Sequence, residues 1–450
     1  MKKNLLVMIL ALTMVTSLGL TGCGKSAGVS SGTDNATKTA DSKEKVKITF
    51  WDENGGPART PLYQELIKKF EASQSEVEVE YVAIPQSDSL EKYNVAIAAD
   101  SMPDSGGMQI AWLSNFIARD ALIPLDSFYD KWGDKSKISE PIISGVRSSA
   151  VDKKLYMMPN SSNFSCIWYR PDLFKNAGIA AFPENWDDFF KDVEKLTDKS
   201  KNKYGFTIRG GSASASVLTD LLFAYSGITD YFDENGKCNI ADPAHVEFVK
   251  RYLGMYDKYT PGSDITSGWK EISANFDTGI SAMLYHNLGS YSNHLDAFKD
   301  NSKFAAAPLP KSIKGTRVVS GAASATGYGI FKTSKNADAA WKFISYLGQE
   351  DSQSYFNENI GQLPTNADSM AQPWGKKSQS ISMALDTTKD SSTKSIVFPI
   401  YLPDYYVILS KTIDPAIQSV MGGKMSVEDL LKTWATEMEK SKAEYDKANK

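Results

Sequence analysis

The sequence predicts an α/β fold arranged in two lobes, and three observations support this prediction. Residues 46–50 alternate apolar and polar side chains, which is typical of a strand with one face on a core. Thr60 and Pro61 then mark the start of an amphipathic helix, and residues 77–81 form a second alternating run. Strand, helix and strand joined in this order form a right-handed parallel unit. The chain has 450 residues, too many for one core, so about two or three domains are expected.

The remainder of the first lobe is expected to end near residue 156. Residues 90–99 have a helical pattern, which the segment 101–104 ends with a proline. Residues 105–110 are a weak strand candidate because two glycines interrupt them. Residues 112–118 indicate another helix, so the order of strand, loop and helix occurs twice in this lobe.

The second lobe begins with an apolar strand at residues 166–169 and a helix capped by Asn185. A later strand at residues 324–331 leads to a helix that Asn336 caps and that Gly348 ends, and Ser426 starts the last helix. The other elements expected between them are a strand at 204–208, a polar turn at 209–216, helices at 218–226 and 245–256, a strand at 279–285 and an extended crossing at 304–310.

Composition and charge exclude several classes of function. Hydrophobic residues make up 42% of the chain and charged residues 23%, which is normal for a globular protein. The formal charge is -4 and no basic cluster is interleaved with aromatic residues, so nucleic acid is not an expected partner. With three histidines, no paired metal-ligand motif and no phosphate-binding glycine loop, we expect no metal site, no cofactor and no nucleotide hydrolysis.

The N-terminal residues 1–22 have the layout of a secretory signal. Lys2 and Lys3 precede an apolar run at residues 5–20, which is short for a membrane span of about 20 residues. The sequence Leu-Thr-Gly before Cys23 resembles a bacterial lipobox, which implies cleavage, a palmitate-bearing lipid on Cys23 and attachment to the outside of the cell membrane. An ordinary signal or an uncleaved anchor is the alternative. Residues 23–44 are polar and are expected to form a flexible tether.

Seven segments resemble one family, the extracellular solute-binding proteins of ABC importers, and within it the sugar-binding proteins similar to maltose-binding protein. The segments that carry the resemblance are residues 48–51, 102–104, 122–126, 168–178, 183–189, 279–283 and 334–343. The resemblance implies a two-lobe flytrap in which each lobe is a mixed sheet flanked by helices and the ligand lies in the cleft between them. We expect residues 45–158 with 311–366 in lobe I, and 159–310 with 367–450 in lobe II. The family resemblance also implies a monomer that binds solute without changing it and delivers it to the permease.

A carbohydrate site needs aromatic rings for the C–H faces of the sugar and planar polar groups for its hydroxyls. Side chains of both kinds follow predicted strands or lie in polar loops, and several match ligand-contacting positions of the family. The candidates are Trp51, Asp52, Glu53, Gln109, Trp112, Asn160, Ser161, Asn163, Arg209, Trp269, Tyr285, Asn287 and Gly321, with His286, Tyr401, Tyr405 and Tyr406 as weaker ones. The alternative for the aromatic residues is core packing, for the small polar residues turn formation, and for Arg209 simple exposure.

The leading hypothesis is a lipid-anchored binding protein for a carbohydrate, either an oligosaccharide or a glycoside. A binding protein for a polyamine, a peptide or another solute is a second hypothesis. A surface glycoside hydrolase with Asp52 and Glu53 as acid and base is a third, although adjacent residues at a strand end point apart and this chemistry needs two carboxyls facing one bond. Whether Cys166 and Cys238 pair stays open at this level.

Overall fold

The computed structural model describes residues 44–321 and 325–449, and strands alternate with helices along most of this length. The strands are β1 Val46–Asp52, β2 Val77–Ala83, β3 Ser105–Gln109, β4 Met158–Ser162, β5 Ser165–Tyr169, β6 Met283–Asn287, β7 Ala305–Ala307, β8 Val318–Val319, β9 Ala325–Ile330, β10 Leu363–Pro364 and β11 Lys394–Ser395.

The helices cover the sheets and make up most of the C-terminal part. They are α1 Thr60–Ser73, α2 Gln86–Ala98, α3 Ile110–Ala118, α4 Asp126–Tyr129, α5 Glu140–Arg147, α6 Pro171–Asn176, α7 Trp186–Lys195, α8 Ser214–Ser226, α9 Pro243–Leu253, α10 Trp269–Asp277, α11 Tyr291–Phe298, α12 Ala337–Leu347, α13 Glu350–Ile360, α14 Ala367–Ala371, α15 Pro373–Lys377, α16 Gln379–Lys389, α17 Tyr405–Ile408, α18 Asp414–Met421 and α19 Val427–Ala448.

The larger sheet has six strands in the order β10-β4-β9-β3-β1-β2. Strand β1 pairs in parallel with β2 and β3, whereas β9 runs antiparallel to β3 and β4. Alternation in β1 buries Ile48 and Phe50 completely, and the apolar face of α1, including Leu66 and Phe70, joins the same core. The predicted strand–helix–strand unit at the start of the chain is therefore confirmed.

The smaller sheets lie in the middle of the chain. Strand β5 pairs antiparallel with β6 and β7, and β8 pairs in parallel with β11. Two residues, 163 and 164, connect β4 in the six-stranded sheet to β5 in the three-stranded sheet. Strand β4, which the predicted lobe boundary between residues 158 and 159 divides, lies wholly in the six-stranded sheet. The residue bounds of the two lobes stay a prediction.

The glycines of β3 are explained by two side chains that lie across the strand. A Cβ atom at Gly107 would overlap Oε2 of Glu53, and one at Gly106 would overlap the hydroxyl of Tyr93. Larger residues would displace these buried groups. The weakly predicted strand is thus real, and its glycines make room for Glu53 and Tyr93 rather than interrupting it.

Several sequence predictions were wrong in detail. Asn336 precedes α12, but its side chain makes no cap hydrogen bond. Residues 204–208 do not form a strand of a sheet; Tyr204 and Thr207 make only isolated bridges to residues 281 and 284. The predicted strand at 279–285 begins later, as β6, because Gly279 has a φ of +68° and turns the chain. Thr60 is already helical, so Arg59 precedes the helix and the Thr60 hydroxyl instead accepts a hydrogen bond from the Gly56 amide, 3.1 Å away.

The predicted signal at residues 1–22, the lipid attachment at Cys23 and the tether as far as residue 43 lie outside the described residues. Cys166 and Cys238 are both buried free thiols. No helix in the described ranges is long and apolar enough to cross a membrane.

Candidate functional site

A candidate site is a pocket of about 170 Å³ where β5, β6 and α8 meet the C-terminal segment. We call it the Asp220 pocket. Its polar lining is Ser165, Arg209, Ser216, Asp220, His286, Asn287 and Ser320. Its aromatic lining is Tyr285, Phe398, Tyr405 and Tyr406, and Ala213 and Val217 complete the wall. Cation, carboxylate, amide and aromatic rings thus meet in one cavity.

Strand register brings the first of these groups together. Ser165 pairs with Asn287, and Ile167 pairs with Tyr285, across β5 and β6. Side chains of directly paired residues lie on the same face of a sheet, so Ser165, Tyr285 and Asn287 share a face. Ser165 begins β5 and Asn287 ends β6, so the two residues lie at the same end of the strand pair, and both line the pocket with residues of α8.

Asp220 is the acid of the pocket and lies in the middle of α8. Its Oδ2 accepts hydrogen bonds from the hydroxyl of Tyr285 and from Oγ of Ser165, the latter at 3.2 Å. Burial raises the pKa of the Asp220 carboxyl despite these bonds. Within the described residues, no lysine, arginine or histidine nitrogen lies within 4.0 Å of this carboxylate.

Arg209 is the cation of the pocket. Its Nε donates a hydrogen bond to the carbonyl of Ser212 at 2.6 Å. Burial lowers the pKa of the guanidinium to about 10, against the charges of Asp414 and Glu271, which raise it. The guanidinium is therefore weakly hydrated and has further donors available for a ligand.

Asp414 binds the first residues of α8, the helix that forms one wall of the pocket. It is 7% exposed, and its two carboxylate oxygens accept hydrogen bonds from the amides of Ala213 and Ala215 at 2.7 and 2.8 Å. The hydroxyl of Ser214 donates a third bond at 3.0 Å. A carboxylate at this end also complements the helix dipole, so Asp414 fixes the first turn of α8.

Trp269 lies next to the pocket rather than in its wall. It is the first residue of α10, is partly exposed, and its indole stacks on the imidazole of His286 with ring centroids 6.2 Å apart. Burial, with a contribution from Arg209, lowers the pKa of His286 to about 3, so this imidazole is neutral. Its Nδ1 is buried and has no hydrogen-bond partner in the described structure.

Trp51 and Asp52 end β1 and Glu53 follows it, and none of the three lines the Asp220 pocket. Asp52 is fully buried and accepts hydrogen bonds from the hydroxyl of Tyr81 at 2.7 Å and the amide of Asn54 at 3.0 Å. Glu53 is 2% exposed, with Oε1 lying 3.6 Å from Nη2 of Arg59. Trp51 is half-buried: its indole packs on Tyr93, and the ammonium of Lys92 lies 4.6 Å from its ring centroid.

The pH dependence of stability should carry a contribution from Glu53. Burial raises the pKa of this carboxyl from 4.5 to about 7. The folded state therefore binds a proton more tightly than the unfolded state, and stability falls as the pH rises from about 4.5 through about 7. We expect Glu53→Gln to remove up to about 3 kcal/mol of this fall. Urea denaturation at four pH values between 5 and 8 measures it.

A second acid and an exposed glutamate provide the comparison. Burial also raises the pKa of Asp264 to about 7. The variant Glu53→Gln should therefore keep part of the dependence of stability on pH. The variant Glu91→Gln changes an exposed residue of α2 and should keep the wild-type slope. Equal slopes in Glu53→Gln and Glu91→Gln would contradict the prediction.

The candidates in and beside the six-stranded sheet are buried or half-buried. Trp112 is 8% exposed and packs against Tyr93 and Phe116 in the core, at centroid distances of 6.0 and 6.2 Å. Gln109 is half-buried at the end of β3. Asn160 is 3% exposed and its amide donates to Oγ of the fully buried Ser161 at 3.1 Å.

Asn163 and Gly321 lie where the chain passes between sheets. Oδ1 of Asn163 is buried without a hydrogen-bond partner in the described ranges. A Cβ atom at Gly289 would lie 3.5 Å from that oxygen and 3.0 Å from Oδ1 of Asn287, so a larger residue there would press on the Asn287 side chain. Gly321 has a φ of +57°, and a Cβ atom there would lie 3.0 Å from the side chain of Ser395.

The structure therefore joins Arg209, Tyr285 and Asn287 in one pocket, with Trp269 beside it. Sequence reasoning missed Asp220, Ser165 and Phe398 and had no motif for Tyr405 or Tyr406. Asp220 did leave one signal, since it is a single acid within the apolar run from residue 217 to 224. Asp220 is half-buried, and a charge that is partly removed from water needs a partner or a function. No cluster of three or more metal-ligating side chains occurs in the described part of the chain.

Known proteins are similar to this chain over more than half of its length. The family model for bacterial extracellular solute-binding protein matches residues 56–354. A putative binding protein of Brucella abortus is 28% identical over 311 residues, covering 68% of this chain and 73% of its own.

Two solved structures share the fold. An ABC transporter solute-binding protein of Thermotoga lettingae, bound with alpha-D-tagatose, has a TM-score of 0.77 at 21% identity and covers 88% of this chain and 100% of its own. The GacH receptor of Streptomyces glaucescens, solved unliganded and with acarbose, has a TM-score of 0.75 at 21% identity, covering 89% and 99%. The fold is thus the two-lobe α/β fold of periplasmic binding proteins.

Proposed function

We propose that this chain, which belongs to the bacterial extracellular solute-binding protein family, captures a carbohydrate or polyol and delivers it to the permease of an ABC importer. The observation that carries the proposal is the Asp220 pocket, in which Arg209 and Asp220 face a lining of tyrosine and phenylalanine rings. Rings accept the C–H faces of a sugar, while carboxylate, guanidinium and amide groups bind its hydroxyls. The sugars bound to the two structural relatives support the same class.

The size of the pocket suits one ring of the ligand. Its volume of about 170 Å³ is close to that of an engineered cavity of about 150 Å³ that admits benzene. One sugar unit or a short polyol fills it. Further units of an oligosaccharide or the aglycone of a glycoside would extend towards the partly exposed indole of Trp269.

Binding is expected to shift the balance between open and closed lobes, with residues 45–158 and 311–366 as one lobe and 159–310 and 367–450 as the other. A ligand favours the arrangement for which it has the higher affinity. Micromolar affinity corresponds to about -8 kcal/mol, which a few ring contacts and charge-assisted hydrogen bonds supply. Trp51, Asp52 and Glu53 lie in the other predicted lobe. Their proposed role is to contact the ligand when the two lobes rearrange around it.

The place of action that we propose is the outer surface of the cell membrane. A signal at residues 1–22 would be removed, and a lipid on Cys23 would hold a monomer near its permease. Growth with labelled palmitate tests this part: label in the wild type and none in Cys23→Ala supports it, and label retained in Cys23→Ala contradicts it.

A ligand screen tests the proposal directly. A ligand that binds only the folded state stabilises it by about 2.7 kcal/mol at a hundred times its dissociation constant. We therefore expect a mono- or oligosaccharide, a glycoside or a polyol to raise the melting temperature by several degrees. Stabilisation by putrescine or a peptide and by no sugar would support the non-sugar alternative. Repeated release of monosaccharide from an intact oligosaccharide would support the hydrolase alternative.

Two arginine variants locate the bound sugar. Arg209→Ala removes a cation from the pocket wall, and loss of a charge-assisted hydrogen bond of about 1.5–3 kcal/mol should weaken binding at least about tenfold. Arg251→Ala removes a cation paired with Asp187, outside the pocket, and should leave binding unchanged. Calorimetric titration of the sugar found in the screen measures both. Equal affinities in the two variants would place the sugar elsewhere.

A further inference from the structure

The carboxylate of Asp220 is held by neutral donors alone in the described structure. The hydroxyl groups of Tyr285 and Ser165 both donate to its Oδ2. No side-chain cation of the described residues lies within 4.0 Å of it. A buried charge is normally paired, because its lost hydration is regained only partly from hydroxyl groups. Among the described residues, Asp220 therefore has no counter-charge.

The cation of the same pocket is not that counter-charge. Arg209 lies near Asp414 and Glu271, whose negative charges stabilise its guanidinium. Its Nε is used by the carbonyl of Ser212. Arg209 thus has two acids around it, whereas the charged form of Asp220 is stabilised only by hydroxyl donors. In the described structure, the positive charge of Arg209 is thus compensated by nearby acids, whereas the negative charge of Asp220 has no nearby cation.

Aromatic residues line the same pocket as the uncompensated charge. Tyr285, Tyr405, Tyr406 and Phe398 line the pocket with Asp220, and the rings of Tyr405 and Tyr406 meet at 71° with centroids 4.7 Å apart. Ring faces attract ammonium groups, and the attraction grows when water is excluded. A carboxylate among aromatic rings is the combination that binds an organic cation.

We infer that the ligand carries a protonated amino group that pairs with Asp220, as an amino sugar or an aminopolyol does. The inference rests on the proposed function and narrows its ligand class. An ammonium group donates three hydrogen bonds and supplies the charge that Asp220 lacks, whereas a neutral hydroxyl supplies one donor and no charge. The remaining hydroxyls of the ligand are then left for Arg209 and the side chain of Asn287, which line the same pocket.

Matched pairs of ligands test the inference. We would titrate D-glucosamine against D-glucose, D-galactosamine against D-galactose, and glucamine against sorbitol, by calorimetry at pH 6.5 in low and high salt. We expect the amine of at least one pair to bind about tenfold or more tightly than its neutral partner, and added salt to reduce the difference. N-Acetylation keeps the ring and removes the charge, so N-acetylglucosamine should lose the advantage over glucose.

Two variants assign the preference to Asp220. Asp220→Asn keeps an acceptor oxygen and removes the charge, so it should bind amine and neutral partner within about twofold of each other. Asp404→Asn makes the same change at an exposed residue next to Tyr405 and should keep the preference. Circular dichroism and the melting temperature of each variant report that it is folded.

The outcomes separate this inference from the proposed function. Sugar or polyol binding with no preference for any amine would overturn the inference and leave the proposed function standing. A preference that survives in Asp220→Asn would also overturn it, because another group would then receive the ammonium. Absence of binding by every sugar and polyol, neutral or amino, would overturn both.

Discussion

The variant Trp168→Ala is expected to lose about 3–5 kcal/mol of the free energy of unfolding. Trp168 is fully buried in β5, and its indole contacts the rings of Phe304 and His294 at centroid distances of 5.7 and 5.0 Å. Alanine leaves a cavity in the core behind the three-stranded sheet. The indole Nε1 also donates to the carbonyl of Asn287 at 3.1 Å, so the loss reaches the strand that lines the Asp220 pocket.

Two controls separate burial from the hydrogen bond. Trp168→Phe keeps an aromatic ring and removes the Nε1 donor, and we expect a smaller loss of about 1–3 kcal/mol. Trp341→Ala removes an indole that is only partly buried and packs against Phe128, so it should cost less than Trp168→Ala. Urea denaturation followed by far-ultraviolet circular dichroism gives all three values. A loss below about 1 kcal/mol in Trp168→Ala would contradict the described core.

The second large effect is expected for Asp414→Ala. The variant removes three hydrogen bonds to the start of α8, two of them from backbone amides, of which the Ala215 amide would stay buried without this partner. Capping and charge-assisted bonds of this kind predict a loss of about 2–4 kcal/mol. The same turn carries Ala213, Ser216 and Val217 into the pocket wall, so affinity for the sugar ligand should fall with stability.

A second helix cap serves as the matched control. Asp242 accepts a bond from the amide of Ala244 at 2.8 Å at the start of α9, away from the pocket. Asp242→Ala should cost about 1 kcal/mol and leave ligand affinity unchanged. Chemical denaturation measures the free energy of unfolding of both variants, and ligand titration measures their affinity for the sugar. Equal costs for Asp242→Ala and Asp414→Ala, with unchanged affinity, would show that Asp414 has no special role at the pocket.

Local sequence signals predicted many of the elements. The alternation in β1 and β2 and the cap at Asn185, whose side chain accepts from the amide of Asp188 at 2.9 Å, are present as expected. Ser426 likewise caps the last helix through the amide of Asp429 at 3.0 Å. These signals work because a cap or a periodic face is satisfied within a few residues. The strand predicted at residues 204–208 was wrong because their apolar pattern fits a buried loop as well as a strand.

The sequence by itself determined the α/β class, the order of most elements and, through its motifs, the family to which the chain belongs. Only the tertiary structure decided which side chains share a site. It placed Asp220 of α8 against Tyr405 and Tyr406 of a distant segment, and it turned Asp52 and Glu53 into the first core. The physical reason is that secondary structure depends on neighbours along the chain. Burial and charge compensation depend instead on groups that only packing brings together.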